Sequence, residues 1–363
     1  MLVLVVMLTF FLILALLVYV SGKSLLSLIN HFKTINIKKY WFIYILIQVV
    51  LLLSMFSPIR WINLMSSYWM AIMFYFIILS GIMALIKLTP IKKEMHKLLD
   101  ISKVILSVIL VIMAVINANY IRITTYHLEI NHEIPDLNIV VFSDIHLGFR
   151  IGYERIERIV RKTNELTPDL VIIPGDIFDG SFYHVSDIDK IINELRNINA
   201  TYGVFATLGN HDMMGYESQI REFLLASNIT LLEDDIAEVN GITIIGRNDL
   251  TPIIRADDFV RKPLSELMEN VDRTKPIFLI DHQPFGIQDA VDYGIDLFIA
   301  GHSHNGQVFP GSIITNLLFI VGYGHKQINN TNIVVTSGVS FWGPPIRMGT
   351  ISEIVRIKLT GSN

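Results

Sequence analysis

Short motifs of aspartate, asparagine and histidine stand at five places in the second half of the sequence. They are Asp144-x-His146, Gly175-Asp176, Gly209-Asn210-His211-Asp212, His282 and His302-x-His304. Carboxylate, carboxamide oxygen and imidazole are ligands that suit Mn²⁺, Fe, Zn²⁺ or a similar ion, and the chain has no cysteine to supply a thiolate. A single aspartate or histidine is usually a turn or surface residue, but five such motifs together predict a metal site.

The number of these ligands indicates a particular chemistry. Seven such side chains exceed the needs of one ion and suit a pair of ions that share one carboxylate. Two ions about 3.5–4 Å apart can hold a hydroxide between them and polarise a phosphoryl group for in-line attack. Because coordination lowers the pKa of that water, a nucleophile forms near neutral pH without a serine or a cysteine. The motifs therefore predict hydrolysis at phosphorus.

Short apolar strands are the elements that must position these motifs. Five segments read as strands that end abruptly in Gly, Asp, Asn or His: LNIVVFSD, PDLVIIPGD, YGVFATLGN, PIFLIDHQ and IDLFIAGH. YERIERIVRKTNEL and DIDKIINELRNI have helical periodicity, and ITLLEDDIAEVNGITIIGRND predicts a hairpin at Asn240-Gly241. INNTNIVVTSGV and ISEIVRIKL predict further antiparallel strands. Loops after the strands of an α/β sheet converge on one edge, so we expect the polar motifs to meet there.

In their order along the chain, DIH, GDIFD, GNHD, the isolated His282 and GHSH resemble the motifs of the calcineurin-like metallophosphoesterase superfamily. The similarity spans residues 137 to about 345. GHSHNGQ and SGVSFWGPPIRMG further resemble the membrane-associated bacterial phosphohydrolase branch of that superfamily. The resemblance implies a four-layered α/β/β/α sandwich of the metallo-dependent phosphatase type, with two divalent metal ions where the two sheets meet.

The resemblance also implies roles for individual residues. The first metal ion would be held by Asp144, His146 and His304, the second by Asn210, His282 and His302, and Asp176 would bridge the two. His302 and His304 stand two residues apart and so project to one side of an extended segment, which lets one turn serve both ions. His211 would contact the phosphate and protonate the leaving oxygen, with Asp212 placed to orient its ring.

Other polar residues have a structural alternative beside the functional one. Asn248 and Asp249 are predicted to line the substrate site or to form a turn. Arg347 is predicted to bind a substrate phosphate through its guanidinium fork, or to make a surface ion pair. Asp179 would support a ligand from behind or cap a helix. The FWGPP segment that begins at Phe341 would wall the pocket, touch lipid, or form a packed turn.

The first third of the chain is far more apolar than the rest. The whole sequence is 52% hydrophobic, with a mean hydropathy of +0.51. Four apolar runs approach or exceed the ~20 residues that a helix needs to cross a bilayer, and they cover residues 2–20, 40–56, 64–86 and 101–118. A cleaved signal peptide is the alternative for the first run, which lacks a basic start and a clear cleavage site. We therefore predict a four-helix transmembrane region at 1–120, a linker at 121–136 and a metallophosphoesterase domain at 137–363.

Charge predicts the orientation and excludes one class of partner. The predicted loops 21–39 and 87–100 carry four lysines each, which places both loops in the cytoplasm and the domain after residue 120 outside. Residues 1–130 hold 11 basic and 3 acidic side chains, and the remainder holds 18 basic and 30 acidic ones. A second half with a balance of 18 − 30 = −12 repels a nucleic-acid backbone, so no nucleic-acid partner is expected.

The sequence thus predicts a multi-pass protein of the cell membrane with an extracytoplasmic catalytic domain. Its substrate would be a phosphoester or pyrophosphate, either a small molecule or a lipid such as a phospholipid, a polyprenyl phosphate or an envelope precursor. The alternative is a non-catalytic ligand-binding or signalling protein on the same fold, against which the intact ligand set and His211 argue. A transporter is disfavoured because the spans contain almost no central ionisable residues.

Overall fold

The computed structural model describes residues 2–55, 57, 59–90, 92–250 and 261–362. The chain divides into two compact units, and we describe each by itself. The first unit consists of Met1–Val115 and Gly343–Ile346, and the second of Ile116–Trp342 and Arg347–Asn363.

Four long helices make up the first unit. They are α1 (Leu2–Asn30), α2 (Ile37–Ser54), α3 (Arg60–Ile86) and α4 (Lys93–Asn119). All four are long and apolar enough to cross a membrane. α1 continues well beyond the predicted end at residue 20, because the serines there face other helices rather than forming a loop. Ser21 is buried, Ser24 Oγ lies 2.7 Å from Ser80 Oγ, and Ser27 donates to Asp100.

A buried ionic cluster joins three of these helices around Asp100 of α4. One carboxylate oxygen accepts hydrogen bonds from the Nζ atoms of Lys87 at 2.8 Å and Lys103 at 2.7 Å. The other oxygen lies 2.9 Å from Ser27 Oγ and from His31 Nε2. Asp100 and Lys103 are almost wholly buried, so their charges are tolerated because they are paired.

Two six-stranded sheets form the framework of the second unit. Across the first sheet the order is β1 (Ile121–Ile130), β12 (Ser352–Gly361), β2 (Leu137–Val141), β3 (Leu170–Pro174), β4 (Val204–Thr207) and β5 (Thr230–Leu231). Across the second it is β10 (Gly324–Ile328), β11 (Thr331–Val335), β9 (Leu297–Ala300), β8 (Ile277–Ile280), β7 (Ile242–Gly246) and β6 (Asp235–Val239). β12 runs antiparallel to β2 and parallel to β1, and β11 runs antiparallel to β10 and parallel to β9.

Helices cover the outer faces of the two sheets. They are α5 (Tyr153–Glu165), α6 (Ile188–Leu195), α7 (Glu217–Ala226), α8 (Leu264–Leu267) and α9 (Ile287–Asp292). A further helix, α10 (Gly311–Leu318), has no buried residue. One apolar core lies between the two sheets, a second joins the first sheet to α5, α6 and α7, and a third joins the second sheet to α8 and α9. The fold class predicted from the sequence, a four-helix region followed by a four-layered α/β/β/α sandwich, is confirmed.

Parallel pairing brings the polar motifs to one edge of each sheet. β2, β3 and β4 are parallel neighbours in the first sheet, and β7, β8 and β9 are parallel neighbours in the second. The carboxyl ends of parallel strands lie at the same edge, and the predicted metal ligands follow the ends of β2, β3, β4, β8 and β9.

Residues 121–136, predicted to be a linker, contain a strand instead. β1 pairs with β12 over its whole length, from Ile121↔Ser352 to Ile130↔Gly361. The strand was not predicted because it lies at the edge of the sheet, where a strand does not need a continuous apolar run. Polar side chains of β1 such as Arg122 and Glu129 face water. Only Tyr120 separates the end of α4 from the start of β1.

Candidate metal centre

Four of the predicted ligands meet between β2, β3 and the segment after β9. The Nε2 atoms of His146 and His304 lie 3.1 Å apart. Asp144 Oδ1 lies 3.3 Å from His304 Nε2, and Asp176 Oδ2 lies 3.7 Å from His146 Nε2. Two imidazole nitrogens and two carboxylates thus point toward one another, in an arrangement that can hold a metal ion.

A second group of ligands lies on the other side of Asp176. Its Oδ2 atom is 3.3 Å from His282 Nε2. Asn210 Oδ1 is 3.2 Å from the same nitrogen and 2.9 Å from Nδ1 of His302. The two imidazole nitrogens of His282 and His302 are 3.3 Å apart. One carboxylate oxygen, Asp176 Oδ2, therefore faces imidazoles of both groups.

These spacings fit the donor set that a divalent metal ion requires. Metal–ligand bonds of about 2.1 Å place neighbouring ligands of a tetrahedral or octahedral ion roughly 3.0–3.4 Å apart. His282 Nδ1 lies 2.7 Å from the carbonyl oxygen of Pro174, and donation there leaves Nε2 free to coordinate. His146 Nδ1 is buried and has no hydrogen-bond partner within the described part of the chain, but Asp179 Oδ1 stands 3.8 Å away. A carboxylate behind a ligating imidazole is the usual support at metal sites.

The backbone at these positions is strained. Five ligand residues have a left-handed φ, namely Asp144 (57°), His146 (55°), Asp176 (53°), His302 (65°) and His304 (48°). This conformation costs a non-glycine residue about 1–2 kcal/mol and persists only where the surroundings impose it. Two glycines allow the close approach of the turns: a Cβ on Gly175 would lie 2.6 Å from the Gly209 nitrogen, and one on Gly209 would collide with Asp176 Oδ1. Five of the seven candidate ligands therefore have a strained backbone.

Three imidazoles are held neutral, which coordination requires. Burial lowers the pKa of His146. Burial and the nearby His282 lower the pKa of His302 to about 4. Burial and the adjacent Arg347 guanidinium lower the pKa of His304 well below its usual range.

The buried carboxylates give the site a negative potential. Burial would lower the pKa of His282, but the carboxylates of Asp176 and Asp144 outweigh it and raise that pKa well above its ordinary value. Burial would raise the pKa of Asp176, but the His282 ring reverses this effect and holds that pKa well below its usual range. The negative potential at Asp176 thus favours a positive charge beside it, and a divalent cation would supply that charge.

His211 is at the site, but its partner differs from the predicted one. Its ring lies 4.9 Å from the ring of His146, and its Nδ1 is 3.3 Å from Asp179 Oδ1. Burial opposes protonation of His211, yet the contact with Asp179 outweighs it and raises the pKa of the ring. Asp212, predicted to orient His211, instead accepts hydrogen bonds from the backbone nitrogens of Ile177 (3.1 Å), Phe178 (2.8 Å) and Gly209 (2.9 Å). Asp212 therefore fixes the turns that carry the ligands, and Asp179 supports the His211 ring.

Arg347 lies behind His304, away from the position predicted for it. The side chain is wholly buried, so it neither forms a surface ion pair nor presents a free guanidinium fork to a substrate. Its donors reach the carbonyl oxygens of Ser340 (2.9 Å from Nε) and Ser337 (2.5 Å from Nη2), and Nη2 lies 3.0 Å from His304 Nδ1. Because a guanidinium only donates, His304 Nδ1 is the acceptor of this contact, and the proton of the neutral ring lies on Nε2. Coordination of a metal ion through Nε2 would require that proton to move to Nδ1 and the contact with Arg347 to change.

The other two predicted substrate contacts are also buried. The Asn248 side-chain amide donates to Asp234 Oδ2 at 3.0 Å, and its backbone nitrogen donates to Asp234 Oδ1 at 2.9 Å. Both carboxylate oxygens of Asp249 accept from Gln283 Nε2 at 2.9 Å. The bonds of Asn248 connect the turn after β7 to the residue before β6, and those of Asp249 connect it to the segment after β8.

Several residues that shape the site were not predicted from the sequence. Ser143 Oγ donates to Asp144 Oδ2 at 2.6 Å and so orients a candidate ligand. The Gln307 side chain makes two hydrogen bonds with the backbone of Trp342, at 2.7 and 2.8 Å, and the Trp342 ring lies 6.1 Å from that of His211. Gln307 belongs to the GHSHNGQ motif, which was the signal for it. The pairing with Trp342 depends on tertiary structure alone.

The chain is similar to proteins described as phosphoesterases. The family model for calcineurin-like phosphoesterase matches residues 137–306. An uncharacterized metallophosphoesterase of Campylobacter jejuni is 31% identical over 267 residues, which cover 72% of this chain and 70% of that protein. A transmembrane protein with metallophosphoesterase domain from Danio rerio is 31% identical over 237 residues, covering 61% of this chain and 53% of that protein. A solved dimetal phosphatase from Danio rerio is 13% identical, with a TM-score of 0.39, and covers 62% of this chain and 99% of its own.

Proposed function

The chain belongs to the calcineurin-like phosphoesterase family, and we propose that it hydrolyses phosphoester or pyrophosphate bonds at a membrane with two divalent metal ions. The observation that carries this proposal is the position of Asp176 Oδ2, which lies 3.7 Å from His146 Nε2 and 3.3 Å from His282 Nε2. A carboxylate with one oxygen that faces the ligands of both groups is what a pair of ions requires.

In the proposed site, each side chain has a defined task. Asp144, His146 and His304 hold one ion, Asn210, His282 and His302 hold the other, and Asp176 contacts both. When bound, the two ions supply Lewis acidity at phosphorus and a water acidic enough to act as a nucleophile at neutral pH. The donor types suit Mn²⁺, Fe or Zn²⁺.

His211 is proposed to act on the leaving group. The Asp179 carboxylate, 3.3 Å from Nδ1, favours the protonated ring and fixes its orientation. The backbone nitrogen of His211 donates to Asp176 Oδ1 at 2.9 Å. The turn after β4, which carries the general acid, therefore also holds the shared carboxylate in place. A proton donated to the leaving oxygen removes the charge that would otherwise develop there.

Metal removal tests the proposed reaction directly. The full-length chain in detergent, stripped with a chelator, should lose hydrolysis of bis(p-nitrophenyl) phosphate and regain it on addition of Mn²⁺, with two ions bound per chain. Metal analysis and release of p-nitrophenolate measure the two quantities. A chain that binds two ions yet hydrolyses neither diesters nor monoesters with any common divalent metal would support the non-catalytic ligand-binding alternative.

The four helices of the first unit are proposed to anchor the enzyme as a multi-pass protein. The connections α1–α2 and α3–α4, with Lys33, Lys38, Lys39, Lys87 and Lys92 in or next to them, would face the cytoplasm. The catalytic unit would then lie on the extracytoplasmic side, where its substrate is at or near the bilayer.

Fusions to a reporter that is active only in the cytoplasm measure this orientation. A fusion after Asn363 should be inactive, and a matched fusion after Thr89, in the α3–α4 connection, should be active. Activity of the Asn363 fusion would reverse the proposed orientation.

A further inference from the structure

The helix α10 exposes its apolar side chains more fully than two of its three polar ones. Ile313, Ile314, Leu317 and Leu318 are 52, 57, 81 and 65% exposed. Residues three and four positions apart are neighbours on a helix surface, and the pairs 313/317, 314/318 and 314/317 have these spacings, so the four side chains form a single apolar face. Ser312 and Thr315, by contrast, are only partly exposed. An ordinary surface helix does the opposite, so the apolar face of α10 is expected to have a partner that is not water.

The apolar face extends beyond the helix at both ends. Phe309 precedes it and is 56% exposed, and Ile320 follows it and is 50% exposed. We call these six residues, Phe309, Ile313, Ile314, Leu317, Leu318 and Ile320, the α10 surface.

Phe319 connects the α10 surface with the metal centre. Its ring lies 6.4 Å from the ring of His302, a candidate ligand, and 4.8 Å from that of Phe285, which is 56% exposed. Trp342, 55% exposed, stands beside His211 in the same site. A substrate with its hydrocarbon chain on α10 could therefore place its phosphate at the candidate metal ligands.

The composition of this segment favours lipid over a protein partner. From Asn305 to Tyr323 the chain has no Lys, Arg, Asp or Glu, whereas protein interfaces usually have a polar rim. Residues 308–321, nine of which are apolar, are too few to span a bilayer but have the length of an interfacial segment. Only Tyr120 lies between the end of α4, whose length and composition suit a membrane span, and the start of β1. An uncharged apolar segment in such a chain fits a hydrocarbon chain as its partner.

We propose that the α10 surface receives the hydrocarbon chain of a membrane phosphoester while its phosphate lies at the metal centre. This inference rests on the proposed hydrolysis and narrows its substrate class to phosphoesters that carry a long alkyl chain. Water adds across the bond from phosphorus to the leaving oxygen, and the alkyl phosphate and the alcohol are the products. The chain length of the substrate is recognised by α10, and the phosphate by the ligands.

Two diesters with the same leaving group test the proposal. Hexadecyl p-nitrophenyl phosphate and methyl p-nitrophenyl phosphate differ only in the alkyl chain, and both release p-nitrophenolate. The full-length chain in detergent with Mn²⁺ is compared with the double variant Leu317→Ser/Leu318→Ser. Burial of two leucine side chains is lost in the variant, so we expect kcat/KM for the hexadecyl diester to fall at least about tenfold. The value for the methyl diester should change less than about twofold.

A matched variant separates the α10 surface from the general loss of an exposed leucine. Leu225 in α7 is 79% exposed, and Leu225→Ser should leave the values for both diesters unchanged. An unchanged preference of the double variant for the hexadecyl chain would overturn the proposal. A double variant that alters only the oligomeric state would overturn it as well, because the α10 surface would then be a contact between copies. Hydrolysis of neither diester by the unmodified chain would instead contradict the proposed function.

Discussion

Asp176→Asn is expected to lower turnover of bis(p-nitrophenyl) phosphate by at least about a thousandfold and to reduce the bound metal from two ions to one or none. Asp176 is the candidate ligand whose single oxygen, Oδ2, faces imidazoles of both groups, at 3.7 Å from His146 and 3.3 Å from His282. An amide has nearly the same shape but no charge, so the variant removes the attraction for two cations without opening a cavity.

The asparagine substitution is preferable to alanine because the site is tightly packed. Asp176 is 2% exposed, and its Oδ1 accepts a hydrogen bond from the His211 backbone nitrogen, which an amide oxygen can also accept. The control is Asp189→Asn on α6, an exposed aspartate that is not among the candidate ligands. Metal content and turnover are measured on the same preparation. Two bound ions with full turnover in Asp176→Asn would contradict the shared role of this carboxylate.

The residues that point into the site were predictable because they follow from local sequence. A parallel strand reads as a short apolar run, and the residue after it must lie at the carboxyl edge of the sheet, as Asp144 and Asp176 do. The hairpin at Asn240-Gly241 is of the same kind: both residues have a positive φ, 50° and 77°, and Val239 pairs with Ile242. In each case the signal lies within a few residues of the feature.

Residues that support the ligands from behind were not predictable in this way. Asp212 follows His211 in the chain and was expected to bond to it, yet Asp179 makes that contact and Asp212 accepts three backbone amides. Arg347 was expected at the surface or at the substrate, yet it is buried against His304. Such contacts depend on how the turns after different strands pack against one another. Residues that are adjacent in the sequence give no information about that packing.

α10 was missed for a different reason. Its apolar residues form a run too short for a membrane span and too exposed for a core helix, so neither pattern applies to it. The polar residues that are only partly exposed, Ser312 and Thr315, do not identify a buried face in the sequence. The apolar residues of α10 are exposed, unlike those of an ordinary amphipathic helix. This pattern prevented the prediction of the helix, and it also indicates that the exposed face has a partner.

His211→Ala is expected to retain both metal ions but to lose turnover by about 10²–10⁴-fold with a poor leaving group. His211 is not among the proposed ligands, and its ring stands between those of His146 (4.9 Å) and Trp342 (6.1 Å), with Asp179 behind it. p-Nitrophenolate is a stable anion that needs little protonation, whereas an alkoxide needs a full proton. The loss should therefore be much smaller with p-nitrophenyl esters than with alkyl esters.

Leaving-group dependence distinguishes a general acid from a residue that only binds phosphate. Equal losses with alkyl and p-nitrophenyl esters would indicate phosphate binding, and full activity with both would remove His211 from the mechanism. Asp179→Asn should show the same dependence with a smaller loss, about 10–100-fold, because the imidazole remains but is less well oriented. His184→Ala, an exposed histidine stacked on Phe149 at 3.8 Å, serves as the control and should leave both rates unchanged. If His211 is a proton donor whose ring Asp179 holds in place, the loss of turnover should be largest for His211→Ala, smaller for Asp179→Asn and absent for His184→Ala.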